Sequence, residues 1–153
     1  MDRRQNSDNQ KKHYNTYFAY ENKKHFSLPN SKMRKHLLNQ FTDCFLDKHS
    51  QPTVLEIGCG NGMFIEYTNI NFSKYVGIDV SDRAVDFAKD SFSDKEVDFI
   101  VFDITKNIIK GLSNFDVVIF SSSLHHMELT EILFKNLDLL TTKESRIIFI
   151  EPH

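Results

Sequence analysis

The sequence predicts an α/β fold in which a mostly parallel sheet is covered by helices on both faces. Short apolar runs alternate with helix-forming segments from about residue 53 to residue 150. Nearly continuous apolar runs are typical of strands buried on both sides, as in parallel sheets. A glycine-rich turn follows the first run directly, as in folds that bind nucleotides at the carboxyl ends of their strands. We therefore expect a Rossmann-like, doubly wound sheet.

The first third of the chain differs in composition from the rest. Residues 1–12 are polar and charged, and they predict a flexible tail. Aromatic side chains concentrate in residues 13–27 without a clean period, and apolar residues at helical spacing then predict a helix from about 31 to 48. These features divide the chain into the tail, an N-terminal helical segment (13–50) and an α/β domain (51–153).

The α/β domain is predicted to contain five strands and three helices. Ser81 is expected to begin the second helix as its N-cap, and a turn or two of helix is all that fits between the third and fourth strands. The strands are placed near residues 53–57, 75–79, 97–102, 115–120 and 146–150, and the helices near 62–69, 82–92 and 128–141.

The most informative segment is Val54–Gly62, a predicted strand that runs into the turn Gly58-Cys59-Gly60-Asn61-Gly62. Glycines allow a sharp turn and a close approach of the backbone to a ligand. The next predicted strand ends in Asp79, and a carboxylate there can accept hydrogen bonds from both hydroxyls of a ribose. Dinucleotide sites have a third glycine at the position that Met63 occupies here, so the spacing disfavours a nicotinamide dehydrogenase.

An acidic residue two positions before this G-x-G-x-G turn resembles the signature of class I S-adenosylmethionine (SAM)-dependent methyltransferases. A carboxylate at Glu56 suits the ammonium group of SAM, whereas it would repel a phosphate. Two further strand ends resemble the same family: Asp103-Ile104, where its members bind adenine, and Ser121-Ser-Ser-Leu-His125-His126. The aromatic segment from Tyr14 to Phe26 resembles the helix that closes over SAM. The resemblance implies this set of cofactor-binding residues: Glu56, Gly58, Gly60, Asn61, Asp79, Val80, Asp103, Ile104 and Ser121.

Several of these residues have a second interpretation. Asp79 could cap the helix after Ser81, Asp103 could cap a turn, and Glu56 could orient the glycine turn without touching SAM. The acidic or hydroxyl side chains Glu56, Asp79, Asp103, Ser121 and Glu151 all lie at strand ends, however, where ligands bind in open α/β sheets.

Catalysis of methyl transfer requires alignment of the two reactants and, for some acceptors, a general base. His125 and His126 follow the fourth strand, and histidine titrates near neutrality, so either could serve as the base. The alternative is that one caps the next helix and the other packs. The expected activity is methyl transfer from SAM to an O, N or C nucleophile of a small molecule; the alternative is a catalytically silent subunit that scaffolds or activates a partner.

Composition narrows the class of protein further. Residues 1–50 carry 10 Lys/Arg against 5 Asp/Glu, and residues 51–153 carry 9 against 16. The basic, Tyr-rich segment could guide a phosphate-bearing or RNA substrate, but a solvated charged face is the commoner explanation, and we do not expect a nucleic-acid partner. Two cysteines make no disulfide framework, the histidines show no metal-ligand spacing, and no apolar run approaches 18 residues. We expect a cytoplasmic protein without metal or membrane contact.

The chain stops just past the fifth strand, whereas the family usually continues into a helix and a C-terminal hairpin. We therefore expect the hairpin to be missing and the apolar strand Ile147–Ile150 to form a sheet edge, which invites pairing. The chain would then be a fragment, or be completed by a homodimer or a partner chain.

Overall fold

The computed structural model describes residues 7–20, 35–36, 38–40, 51–93 and 96–151. A helix, α1, spans Ser7–Tyr20. The prediction of a flexible tail is therefore wrong for residues 7–12, which form the first turns of α1 and are held by ion pairs of Lys11 and Asp8 with the α/β domain. Residues 35, 36 and 38–40 are helical as predicted. The rest of the predicted helix over 31–48 lies outside the described residues.

Five parallel strands form the sheet, in the order β3-β2-β1-β4-β5. Their bounds are Thr53–Ile57 (β1), Lys74–Asp79 (β2), Val97–Val101 (β3), Val117–Ser121 (β4) and Arg146–Ile150 (β5). The strand order reverses direction at β1, so the carboxyl ends of β1, β2 and β4 meet at the switch point where doubly wound folds bind ligands.

Helices cover both faces of the sheet, which confirms the predicted fold class. On one face, α2 (Met63–Tyr67) and α3 (Asp82–Ser91) pack against the strands. Their buried side chains join a core cluster with residues of β1 to β5: Val54, Phe64, Ile65, Tyr75, Val85, Ala88, Phe92, Phe99, Val117, Ile119 and Ile148. On the other face, α4 (Glu131–Leu140) buries Leu133 and Leu140 against a second cluster that includes Leu55, Val76 and Phe120.

Capping residues explain where the helices begin. The Ser81 side chain accepts a hydrogen bond from the amide of Ala84 (3.2 Å), which confirms the predicted N-cap. The third predicted helix starts at Glu131 instead of 128, because the Thr130 hydroxyl accepts from the amide of Leu133 (3.1 Å) and caps α4 there. The preceding residues form a separate 3₁₀ turn, Leu124–His126.

β5 is an edge strand within the described part of the chain, as the sequence predicts. The side chains of Ile147 and Phe149 are 39% and 48% exposed, although Phe149 stacks on Phe120 of β4 with ring centroids 5.2 Å apart. Phe134 of α4 is 54% exposed and is not a core residue. None of the helices described here is both long and apolar enough to span a bilayer.

Candidate functional site

The glycine turn after β1 is held against two neighbouring strands. The amides of Gly58 and Cys59 donate to the carbonyl oxygen of Ile78 in β2, at 2.8 and 3.1 Å. Gly58 has a φ of +77°, and a Cβ there would lie 2.4 Å from Cβ of Ser123 in the loop after β4. The Ser123 hydroxyl in turn donates to the carbonyl of Ile57 (2.6 Å). A glycine is required at position 58 because the backbone there is left-handed and a neighbouring strand end fills the space.

Asp79 ends β2 beside this turn. Its Oδ2 accepts a hydrogen bond from the amide of Gly60 and its Oδ1 accepts one from the amide of Ser81, both at 2.8 Å. The helix cap is Ser81 itself, so the alternative role of Asp79 as a cap for α3 is not the one observed. Burial raises the pKa of Asp79, and the backbone donors partly offset that rise. Each carboxylate oxygen keeps one more lone pair, so Asp79 can still accept the two hydroxyls of a ribose.

Asp103 follows β3 and closes a turn. Its Oδ1 accepts from the amide and the hydroxyl of Thr105, at 3.0 and 2.7 Å, so the turn-capping role left open by the sequence is present. In the described structure, Oδ2 of Asp103 and the amide of Ile104 have no hydrogen-bond partner, and both residues line the cavity described below. A carboxylate oxygen next to a backbone N–H matches the donor and acceptor pattern of an adenine edge.

Asn136 of α4 supports this loop from behind. Its fully buried side chain donates to the carbonyls of Ile104 (2.8 Å) and Asn107 (2.7 Å) and accepts from the amide of Ile109 (2.8 Å). Three hydrogen bonds from one rigid helix position fix the segment that carries the predicted adenine contacts.

Glu56 is the most unusual titratable group of the site. Its side chain is 2% exposed, and the hydroxyl of Tyr75 in β2 donates to Oε2. Burial raises the pKa of Glu56 to about 8, against a smaller lowering by the Tyr75 hydrogen bond. The described residues supply no hydrogen bond to Oε1 and no Lys or Arg in an ion pair with this carboxyl. A buried acceptor without a partner is costly unless a ligand completes it.

Asn61 is likewise a buried polar residue without a hydrogen-bond partner among the described residues. It is 4% exposed, and its side-chain amide makes no hydrogen bond to the residues that the structure describes. Val80 and Ser121 stand at the ends of β2 and β4 and line the same cavity. These polar atoms fit the predicted cofactor: a cation acceptor at Glu56, an amide at Asn61, a ribose acceptor at Asp79 and an adenine edge at Asp103-Ile104.

A single cavity of about 550 Å³ at the carboxyl ends of the strands brings the predicted cofactor residues together. A cavity of this size with apolar walls and a few convergent polar groups is typical of a small-molecule site. Every predicted cofactor residue lines it: Glu56, Gly58, Gly60, Asn61, Asp79, Val80, Asp103, Ile104 and Ser121.

The two predicted catalytic histidines occupy different positions. His126 lines the cavity, whereas His125 is absent from the described lining residues; its ring contacts that of His126, with centroids 3.8 Å apart. Nδ1 of His125 contacts Oε2 of Glu151, the residue after β5. Oε1 of Glu151 accepts from the amides of Ser123 (3.1 Å) and Leu124 (2.9 Å). The carboxylate therefore fixes the loop and the His125 ring together.

Burial and the neighbouring histidines favour the neutral form of His126. Burial lowers its pKa, His125 and His13 lower it further, and Glu151 opposes them. Burial alone would raise the pKa of Glu151, but hydrogen bonds from His125, Leu124 and Ser123 lower it, so Glu151 stays ionised. A neutral imidazole at the cavity wall can accept a proton.

Two contributions to the cavity were not among the predicted site residues. Glu151 was noted only as a strand end, although adjacent parallel strands β4 and β5 bring their carboxyl ends together, a signal that could have identified it. Tyr14 and Gln10 of α1 line the cavity, and the Tyr14 ring meets His126 edge-on with centroids 5.7 Å apart. The sequence does not reveal this pairing because it joins segments more than 100 residues apart.

Comparison with known proteins identifies the family. The family model described as a methyltransferase domain matches residues 55–147, more than half of the chain. A nonribosomal peptide synthetase, TES from Alternaria alternata, is 32% identical over 116 residues, which are 71% of this chain but 2% of the synthetase.

Solved structures share the fold at lower identity. The N-methyltransferase NodS from Bradyrhizobium japonicum, in complex with S-adenosyl-L-homocysteine, matches with a TM-score of 0.73 at 18% identity over 92% of this chain and 72% of that one. The PH0226 protein from Pyrococcus horikoshii matches with a TM-score of 0.68 at 23% identity, over 88% and 60% of the two chains. The chain thus spans a small part of the synthetase and about two thirds of these structures.

Proposed function

The chain belongs to a family of methyltransferase domains, and from that premise we propose that it transfers a methyl group from SAM to an oxygen, nitrogen or carbon atom of a small molecule. The family membership confirms SAM as the predicted cofactor. The observation that carries the proposal is the cavity at the strand ends, which joins buried polar atoms of Glu56 and Asn61 that have no partner among the described residues to a histidine at its wall.

When SAM is bound, it supplies an activated methyl group on a sulfonium sulfur. A nucleophile can attack the methyl carbon in line and displace the sulfur. The residues of this chain hold and orient SAM. Asp79 would accept the ribose hydroxyls, Asp103 and Ile104 would bind the adenine edge, and the glycine turn with Glu56 and Asn61 would receive the amino-acid end; all of these residues line the cavity. Positioning of this kind supplies most of the rate gain in such a displacement, on the order of 10⁵-fold or more.

We assign the role of general base to His126, because it lines the cavity and is neutral at pH 7. His125 is then a positioning residue: Glu151 contacts its Nδ1 and holds the ring against His126. A base is needed for an acceptor that must lose a proton before or during transfer, such as a phenol or an activated carbon acid.

We assign α1 the role of a lid over the cavity. The Asn15 side chain accepts from the hydroxyl of Ser81 (2.6 Å), and Lys11 pairs with Asp82 at 3.3 Å. In the loop after β3, Lys106 pairs with Asp8 of α1 at 3.1 Å. These contacts support α1 bridging the ribose side and the adenine side of the cavity, with Tyr14 over the acceptor end.

A direct test measures S-adenosylhomocysteine release with acceptors of three classes: phenols, primary amines and activated carbon acids. We expect release that depends on acceptor and is largely lost in Asp79→Ala. His126→Gln should suppress turnover of phenols and carbon acids about 10²-fold or more with little change in SAM affinity. SAM binding without turnover of any acceptor class would contradict the enzymatic role and favour the scaffold subunit instead.

A further inference from the structure

A buried carboxyl group that faces the cavity with one oxygen partnerless requires a cation or a proton. Glu56 is such a group: Tyr75 satisfies Oε2, and Oε1 has no partner among the described residues. Its neighbours across the strands do not supply charge compensation, because Ile119 of β4 is apolar and Gly77 of β2 has no side chain. The empty site is therefore neutralised most simply by a proton on Glu56.

The titratable groups around Glu56 also favour its protonated form. Tyr75 lies on β2, Cys59 lies in the glycine turn, and Asp79 ends β2. Burial and the nearby carboxyls raise the pKa of both the Cys59 thiol and the Tyr75 hydroxyl, so both stay neutral. Asp79 raises the pKa of Glu56 through charge repulsion, in addition to the effect of burial. The described surroundings thus favour the protonated acid while the cavity holds no cation.

We infer, on the basis of the proposed function, that the ammonium group of SAM displaces one proton from Glu56 when it binds, and that Tyr75 positions the carboxylate which receives it. The carboxyl proton leaves to solvent, and an ammonium N–H then donates to Oε1. The Tyr75 hydroxyl keeps its own proton and continues to donate to Oε2. Cofactor affinity is therefore coupled to pH through a pair of residues on β1 and β2.

SAM affinity should increase as the pH rises, because the ammonium group requires an ionised Glu56. Only the ionised carboxylate binds the ammonium, so SAM affinity should rise about tenfold for each pH unit between pH 6 and pH 7. An α-amino group loses its own proton near pH 7.7–8.0, and the rise should end there. Between pH 6 and pH 7 the rise therefore lies below the titration of the ammonium group, and comparison with Glu56→Gln assigns it to Glu56.

Calorimetry of SAM binding in buffers of different ionisation enthalpy counts the protons released. At pH 6.5 we expect about one proton per SAM for the wild-type chain and none for Glu56→Gln, whose affinity should be weaker but independent of pH. Tyr75→Phe should weaken SAM binding at every pH from 6 to 7 without changing the tenfold rise per pH unit, because it removes a hydrogen bond that lowers the pKa of Glu56 in the wild type. Asp86→Asn, an exposed acid on α3, is the matched control and should behave as the wild type.

A second ligand distinguishes proton release by Glu56 from proton release by Asp79, another carboxyl group that lines the cavity. 5′-Methylthioadenosine keeps the ribose and adenine of SAM but has no ammonium group. Its binding should release no proton, whereas a proton that came from Asp79 would be released by both ligands. SAM binding without proton release, or with release preserved in Glu56→Gln, would overturn the inference alone. Absence of SAM binding by the folded chain at every pH would overturn the proposed function and this inference together.

Discussion

The amide of Gly60 donates a hydrogen bond to Oδ2 of Asp79 at 2.8 Å, so the glycine turn and the carboxylate that we propose as the ribose acceptor form one unit. The other oxygen of Asp79 accepts from Ser81, the N-cap of α3. A substitution of Asp79 would therefore alter the turn after β1 and the start of α3, as well as the proposed contact with the ligand.

Replacement of Asp79 tests this unit. Asp79→Asn keeps the shape but puts an amide donor where an acceptor is needed, either toward Gly60 or toward the ribose. Hydrogen bonds to a charged group contribute about 1.5–3 kcal/mol each, so we expect SAM affinity to fall about 10²-fold. Calorimetric titration measures the effect, with Asp86→Asn as an exposed control on α3. Wild-type affinity in Asp79→Asn would show that the ribose binds elsewhere.

Gly58 and Gly111 offer a comparison of backbone strain with steric overlap. Their φ angles are +77° and +78°, but a Cβ at Gly58 would overlap Ser123, while a Cβ at Gly111 would meet nothing within 4 Å. Gly111→Ala should cost about 1–2 kcal/mol of unfolding free energy through backbone strain alone. Gly58→Ala should cost clearly more, because Ser123 and its hydrogen bond to Ile57 must move. Equal losses in urea unfolding would mean that the β4 loop adapts freely.

The sequence predicted the sheet well because its strands carry the strongest local signal. β1 and β5 have the predicted bounds, since their apolar runs end at glycine or at a polar residue. The candidate site residues came from the family resemblance, together with the rule that parallel strands bring their carboxyl ends to one edge. The sequence could not predict how deeply individual site side chains are buried or which side chains touch across neighbouring strands. Nothing in the spacing of Glu56 and Tyr75 reveals that they touch, and the turns of α1 over residues 7–12 are held by tertiary ion pairs that composition does not show.

The pH dependence of turnover should reflect the protonation of His126. Burial lowers its pKa below the usual 6.5, so the neutral base persists below that pH and the acid limb of kcat should lie below 6.5. Glu151 raises the pKa of His126, so Glu151→Gln should move the acid limb to lower pH. The measurement is a kcat profile from pH 5 to 8 with saturating SAM. Glu128→Gln, an exposed acid at the cavity rim, provides the control. An unmoved limb in Glu151→Gln would show that another group titrates.

Glu56 should also make the stability of the ligand-free protein depend on pH. Its folded pKa of about 8 lies above the unfolded value near 4.5, so the folded state holds the proton more tightly. The stabilising contribution is complete below pH 4.5 and is lost as the pH rises through 8. Each unit of pKa difference corresponds to about 1.4 kcal/mol, so the loss between pH 5 and pH 8.5 can reach about 4 kcal/mol.

Glu56→Gln removes this dependence because glutamine is neutral at every pH and nearly the same size as the protonated acid. Urea unfolding at pH 5.5, 7 and 8.5 should give a falling free energy for the wild type and a much flatter series for the variant. Asp90→Asn, an exposed acid on α3, should follow the wild type. Parallel curves for wild type and Glu56→Gln would mean that Glu56 is ionised in the empty pocket, and the proton would then have to be sought on Asp79.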